Sequence, residues 1–417
     1  MTSKVISIRT GSNQPDAGPG RRLRIVADAG IPLLQDAFGP LGGVVALPAD
    51  RLTAEAVREA DALLVRSVTR VGESLLAGSR VRFVATATIG VDHVDLGYLE
   101  SRGIGFASAE GSNARSVAEY VVAALAVLAE RGRWRIRDKR LGIVGCGRIG
   151  GLVARMAEAV GMHVLRNDPP LERATGVEGF VPLEAMAEAD LVTFHVPLTY
   201  AGLDATYHLI GARLLAGLKD GAAVINTSRG AVADSAALKE VFGGGRGRLG
   251  ALVLDVWEGE PDVDLDLLDR TTLATPHVAG YSYDGKVNGT RMVLEALVRH
   301  FGLRRPWAPS PSMPPAPRPE VRLPAGVTLD RALRLATAAA YDMEADDRRL
   351  RAMAQEPPER RGRYFTALRA EYPVRREFRE TRVVLDAADA GVAGALEALG
   401  FTVSGPPAGG TAGKDAQ

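Results

Sequence analysis

Three side chains of this 417-residue chain supply a cation, a carboxylate and an imidazole. They are Arg229 in the run Asn226-Thr-Ser-Arg-Gly, Glu260 ahead of Pro261, and His277 behind Pro276. A planar guanidinium grips a carboxylate through two parallel hydrogen bonds. A neutral imidazole takes up a hydroxyl proton near pH 7, and a carboxylate on its other nitrogen fixes the tautomer. Together such groups could hold a 2-hydroxy acid and remove its hydroxyl proton while hydride leaves C2. Taken singly, each has a plain structural alternative. Arg229 could be a solvated loop residue, Glu258 competes with Glu260 in Glu258-Gly-Glu-Pro, and His93, His163, His195, His208 and His300 compete with His277.

Upstream lies a place for a hydride acceptor. The loop Gly145-Cys-Gly-Arg-Ile-Gly150 follows an apolar run at 141–144 and precedes a helical stretch at 151–160. In that setting Gly145 permits a tight turn, Gly147 lets backbone approach a pyrophosphate, and Gly150 allows close helix–strand contact. The helix N-terminus favours the anion. The next strand ends at Asn167-Asp168. An acidic residue at that distance suits the ribose hydroxyls and repels an extra phosphate, so NAD is expected over NADP, a preference that the nearby Arg166 softens. Cys146 is the only cysteine; with no obvious base adjacent, it reads as a small packed residue rather than a nucleophile. No metal is expected.

The elements that must position these groups alternate strand with helix. Residues 23–27, 62–66, 81–86 and 105–107 read as strands, followed by a long apolar helix at 114–131. A second series of strands begins at 140 and continues at 162–166, 191–195, 222–226, 249–254 and 272–274, and a helix at 285–302 could return the chain to the first series. Such alternation argues for parallel sheets covered on both faces. Residues 305–324 are dense in proline and read as a semi-rigid linker unable to pack as helix or sheet. Beyond it, helical stretches at 329–354, 364–372 and 391–399 and a strand at 381–386 suggest a small α+β domain.

Composition narrows the class. Apolar content of 46% and charged content of 24% are ordinary for a globular protein. A formal net charge of +1 gives no electrostatic argument for nucleic acid or an anionic membrane. One cysteine permits no intrachain disulfide, and the polar first twenty residues do not resemble a signal peptide. A cytoplasmic protein is expected.

The chain resembles the D-2-hydroxyacid dehydrogenase family in Val144-Gly-Cys-Gly-Arg-Ile-Gly, His195-Val-Pro-Leu, Asn226-Thr-Ser-Arg-Gly, Leu254-Asp-Val-Trp-Glu-Gly-Glu-Pro and Thr275-Pro-His. By that resemblance Arg229, Glu260 and His277 are catalytic; the spacing from Asp255 selects Glu260 over Glu258, and His277 takes the proton-donor position. The cofactor would meet Gly145, Gly147, Arg148, Ile149, Gly150, Asp168, His195, Pro197, Thr227, Asp255 and Gly280. Leu64-Val-Arg-Ser-Val-Thr, the run 85–95 and the run 277–286 are similar to members acting on a phosphorylated sugar acid, which makes Ser67, Thr88 and Tyr281 substrate contacts. Tyr341-Asp-Met and Phe365-Thr-Ala-Leu-Arg resemble a dimerisation domain, implying a homodimer. The resemblance implies two doubly wound, Rossmann-like α/β domains with a small C-terminal α+β dimerisation domain. The division is a tail at 1–22, a substrate-binding domain at 23–112 and 278–302, an NAD-binding domain at 113–277, a linker at 303–326, the dimerisation domain at 327–405 and a tail at 406–417. A member acting on 3-phosphoglycerate and a non-catalytic, dehydrogenase-like corepressor are the alternatives. The N-terminal tail, the long proline linker and the glycines at 243–247 depart from the family pattern.

Overall fold

Ala62-Leu-Leu-Val and Phe83-Val-Ala-Thr are buried at every position, the signature of strands covered on both faces. In the computed structural model they are the middle of a five-stranded parallel sheet, β1 (Leu23–Asp28), β2 (Gly42–Leu47), β3 (Ala62–Val65), β4 (Phe83–Thr86) and β5 (Gly105–Ser108), in the order β2-β1-β3-β4-β5. The structure describes residues 22–242, 248–304, 306–309 and 313–405. The expected tails, except Arg22, and the 243–247 glycines lie outside the described residues.

The chain divides into two compact units, one of residues 1–113 with 282–314 and one of 114–281 with 315–417. The first is closed by the helix Tyr283–His300, whose Val293, Leu294 and Leu297 share a core with Leu23, Ile25 and Phe38. Ser282 caps this helix by accepting the Gly285 N–H at 2.8 Å. β2 escaped the sequence reading. It is an edge strand with a mostly solvated pattern, paired with β1 over six residues. Its entry needs glycine, because a Cβ on Gly42 would stand 1.9 Å from the Leu23 carbonyl oxygen.

In the second unit a six-stranded parallel sheet comprises β6 (Arg140–Val144), β7 (His163–Asn167), β8 (Leu191–Phe194), β9 (Ala223–Asn226), β10 (Ala251–Leu254) and β11 (Leu273–Ala274). Their order is β11-β10-β9-β8-β6-β7, with Phe180 bridging beyond β7 at Arg166. Strand order therefore reverses between β6 and β8, and open sheets of this kind bind ligands outside the carboxyl ends of strands at such a switch point. The helix Ala114–Gly132 is apolar on nearly all sides because it is buried on nearly all sides.

The C-terminal segment has its own parallel sheet, β12 (Glu320–Leu323), β13 (Arg382–Leu385) and β14 (Thr402–Ser404), flanked by helices. The linker reading is corrected at its end. Residues 320–323 carry no proline and pair with β13 in register from Glu320↔Arg382 to Leu323↔Leu385. The single helix expected over 329–354 is two, Leu329–Ala340 and Met343–Arg351. Tyr341 is extended, and the Asp342 side chain caps the second helix by accepting the Ala345 N–H. Leu333 and Ala336 share a core with Val121 and Leu125 of the long helix, which makes this segment part of the second unit.

Candidate active site

The glycine loop sits at the switch point, between the end of β6 and the helix Arg148–Ala159. Gly145 has φ +87°, a left-handed conformation that favours glycine, and a Cβ there would meet the His195 carbonyl oxygen at 2.6 Å. A Cβ on Gly150 would stand 1.9 Å from the Gly145 oxygen, whereas nothing lies within 4 Å of one on Gly147. Two glycines are thus forced by packing, and the third keeps an open approach to backbone N–H groups at a helix start. Ile149 packs on the core below, and Arg148 begins the helix.

Asp168 follows β7 and accepts two backbone N–H groups, Cys146 at 2.8 Å and Leu171 at 2.9 Å. It ties the glycine loop to the next helix while keeping lone pairs for ribose hydroxyls. Arg166 is paired with Glu158 of the loop's own helix. His195 follows β8 between two hydroxyls, Thr193 Oγ1 at 3.1 Å and Thr227 Oγ1 at 3.2 Å. Its withdrawal from water lowers its pKa to about 3, which keeps the ring neutral. The Pro197 carbonyl accepts the Thr206 hydroxyl at 2.5 Å. The cradle and the carboxylate fit a dinucleotide.

β9 ends in Asn226, and the turn after it carries Arg229. Asn226 Oδ1 accepts the Ser228 N–H at 3.0 Å and hydroxyl at 2.7 Å, and its Nδ2 donates to the Arg229 carbonyl at 3.0 Å. A Cβ on Gly230 would stand 2.0 Å from the Trp257 carbonyl oxygen, so the turn closes against the segment leading to Glu260. The half-buried Arg229 side chain donates only to the Ser228 carbonyl among the described residues, at 2.9 Å.

Glu260 and His277 come together: Oε1 lies 2.5 Å from Nδ1, and Glu260 Oε2 accepts the Trp257 N–H at 3.2 Å. Burial alone would raise the Glu260 carboxyl. The hydrogen bond and charge of His277, the Trp257 N–H and the charge of Arg369 hold it below its ordinary value instead. Glu258 is engaged elsewhere, with His208 Nε2 at 2.6 Å and the Ser235 N–H at 3.2 Å. The described residues therefore hold two histidine–glutamate pairs. Only His277 follows a strand of the sheet at its carboxyl end.

Asp255 lies below His277, 1% exposed, with Oδ1 accepting the Thr275 hydroxyl at 2.6 Å and the Val278 N–H at 2.7 Å, and Oδ2 accepting the Ala279 N–H at 2.9 Å. Burial raises its pKa against these bonds and the charge of His277. Its backbone carbonyl accepts the His277 N–H at 2.6 Å. These contacts hold His277 at φ +58°, a strained conformation for a residue with a Cβ. Gly280 is half-buried in the turn closed by the Tyr281 N–H on the Val278 carbonyl, at 2.9 Å.

Sequence reasoning did not anticipate what stands behind this loop. Arg375 donates to the Ala279 carbonyl at 3.1 Å and the Ser116 carbonyl at 2.8 Å. Tyr372 meets Tyr281 edge-on with centroids 5.7 Å apart. The signal was the Arg- and Tyr-rich run 365–378, legible only as a likeness to a dimerisation domain. In the other unit Ser67 is exposed just after β3 and Thr88 lies beyond β4, its hydroxyl 2.7 Å from that of Thr86.

Sheet order and glycine loop are those of a nicotinamide-dependent dehydrogenase. Residues 121–279 match the family described as D-isomer specific 2-hydroxyacid dehydrogenase, NAD binding domain, and residues 312–400 match a domain of unknown function (DUF3410). An erythronate-4-phosphate dehydrogenase from Salinibacter ruber is 49% identical over 373 residues, covering 87% of this chain and 94% of that protein. Another from Hahella chejuensis is 42% identical over 382 residues, covering 92% of this chain and all of that protein. Among solved structures, the D-lactate dehydrogenase of Aquifex aeolicus complexed with NAD and lactic acid is similar, with a TM-score of 0.53 and 25% identity over 67% of this chain and 95% of that one. The chain belongs to the D-isomer specific 2-hydroxyacid dehydrogenases and, within them, to the family of the erythronate-4-phosphate dehydrogenases. Its cofactor is NAD.

Proposed function

We propose that the protein oxidises 4-phospho-D-erythronate to 2-oxo-3-hydroxy-4-phosphobutanoate, a step of pyridoxal 5'-phosphate (vitamin B6) biosynthesis, with Arg229, Glu260 and His277 as its catalytic residues. The observation that carries this reading is the 2.5 Å contact between His277 Nδ1 and a Glu260 carboxylate held ionised by its surroundings. The relatives' shared name supports the substrate.

NAD, when bound, accepts hydride from C2. Arg229 grips the substrate carboxylate with its guanidinium fork and draws charge from C2. His277 donates its Nδ1–H to Glu260, which leaves Nε2 with a lone pair for the C2 hydroxyl proton; in reverse the imidazolium returns it. Glu260 stabilises that imidazolium without itself taking the proton. Gly145, Gly147, Gly150 and Asp168 hold the dinucleotide, with His195, Thr227 and Gly280 around it, and Ser67, Thr88 and Tyr281 meet substrate. The protein works as a cytoplasmic homodimer joined through residues 327–405. No described helix is long and apolar enough to cross a membrane, and the likeness of run 341–378 to a dimerisation domain supports the pairing.

NADH production across a panel of phosphorylated 2-hydroxy acids tests the reading. The expected result is a clear preference for 4-phosphoerythronate, and a loss in kcat of more than ~10²-fold in His277→Ala with NAD binding retained. A preference for 3-phosphoglycerate, or undiminished turnover in His277→Ala, would overturn it.

A further inference from the structure

We propose that Arg369, carried by the C-terminal segment, is a specificity-determining residue of the dehydrogenase site that binds the phosphate of the substrate. The inference rests on the reading above that the substrate is a phosphorylated 2-hydroxy acid.

The helix Pro358–Ala370 is laid against the loop that holds Glu260. A Cβ on Gly362 would meet Asp262 Oδ1 at 2.9 Å and Pro261 Cγ at 3.5 Å, so glycine sets how closely the helix approaches. Residue 369 lies two turns beyond 362, on the same helix face, with the buried Phe365 between them. The Arg369 guanidinium reaches Tyr281, 5.6 Å from the ring centroid, while Tyr372 holds that ring from another side. Its charge is also felt at Glu260.

Arg369 combines a position over Tyr281 with a buried Nε that meets no acceptor. Arg349 pairs with Asp346, Arg351 with Asp347 and Arg376 with Glu380. Arg369 Nε is buried without a hydrogen-bond partner, and among the described residues its guanidinium forms no ion pair. Glu260 feels the charge of Arg369 but shares no hydrogen bond or ion pair with it; its oxygens accept from His277 and the Trp257 N–H. A half-buried guanidinium whose Nε meets no acceptor carries a desolvation cost that an anionic ligand reduces. Arg229 is occupied by the substrate carboxylate, so the anion left for Arg369 is the phosphate, whose oxygens match a guanidinium fork. The C-terminal segment thus gives the site a second cation.

Steady-state kinetics of the full-length protein test this. Wild type, Arg369→Lys and Arg369→Met are compared on 4-phosphoerythronate and on unphosphorylated erythronate, with NADH binding followed by fluorescence. Losing one charge-assisted contact to the phosphate should raise KM for the phosphorylated acid about 10- to 100-fold in Arg369→Met, and less in Arg369→Lys. KM for erythronate and NADH affinity are expected to stay within about threefold of wild type, and any fall in kcat through the charge lost near Glu260 should be equal on the two acids. An equal rise in KM for both acids, a fall in kcat with KM unchanged, or no change would overturn the assignment. Failure of the underlying reading is separate: wild type itself would then favour another phosphorylated acid, and the same comparison between that acid and its dephosphorylated form decides the role of Arg369.

Discussion

Asp255 spends both carboxylate oxygens on the loop that carries His277, and its carbonyl on the His277 N–H. Three acceptors holding a left-handed histidine make the placement of the imidazole depend on a residue that is sealed from solvent. Asp255→Asn replaces one acceptor oxygen by an NH2 facing the N–H it served. The variant should lose about 1–3 kcal/mol of stability, the cost of an unmet buried donor, and lose kcat more than NAD affinity. A melting curve and a turnover assay matching wild type would exclude this role. Cys146 makes a second residue-scale case. Burial first, and then the charge of Asp168, push its thiol up to about 11, so it is protonated at neutral pH. Labelling by a thiolate-selective reagent should be slow at pH 8 and accelerate only toward pH 11; fast labelling at pH 8 would contradict the geometry. The half-buried setting of Cys146 was legible in its place within the glycine loop, while Glu260, which the structure sets against His277, was singled out from Glu258 only through the family resemblance. That Glu258 belongs to His208, fifty positions earlier, was not legible, because nothing local marks that pairing.

At the scale of elements, the glycine loop separates fold from function cleanly. Gly150→Ala puts a methyl 1.9 Å from a backbone oxygen, where no side chain can yield, so helix and strand must part. The expected cost is about 1–3 kcal/mol in stability, with NAD binding weakened alongside. Gly147→Ala meets nothing within 4 Å. It should melt like wild type and still bind NAD more weakly, since its methyl occupies the approach to the phosphates. Calorimetry and NADH titration distinguish the two; equal melting losses would mean that the loop packs otherwise. Central strands were legible because parallel strands buried on both faces are unbroken apolar runs. β2 and β12 were not. Each is an edge strand with a partly solvated pattern, one entered through two glycines and the other lying against a proline-rich stretch.

For the molecule as a whole, the composition break at the prolines marks where a segment begins but not where it docks. Contacts 259 positions apart carry that information: the Phe378 N–H donates to Glu119 Oε2 at 3.0 Å, and Arg375 to the Ser116 carbonyl. Glu119, in the long helix, is wholly buried. Burial first, and then the charge of Glu377, push its pKa up to about 8, against the charges of Arg115 and Arg375 and the Phe378 N–H. A carboxyl whose folded pKa exceeds its unfolded value binds a proton more tightly in the native chain. Its stabilising effect is complete below about pH 4.3 and is lost as pH rises through the folded value. Docking of the C-terminal segment should therefore weaken progressively from about pH 5 to pH 8 and then level off. Glu119→Gln keeps the shape and an acceptor for Phe378 but cannot ionise. Its melting temperature should fall less than that of wild type between pH 6 and pH 9, with the two curves converging toward the acid end. Parallel melting curves across that range would show that another group carries the pH dependence, and that the long helix and the C-terminal segment are held together independently of the Glu119 proton.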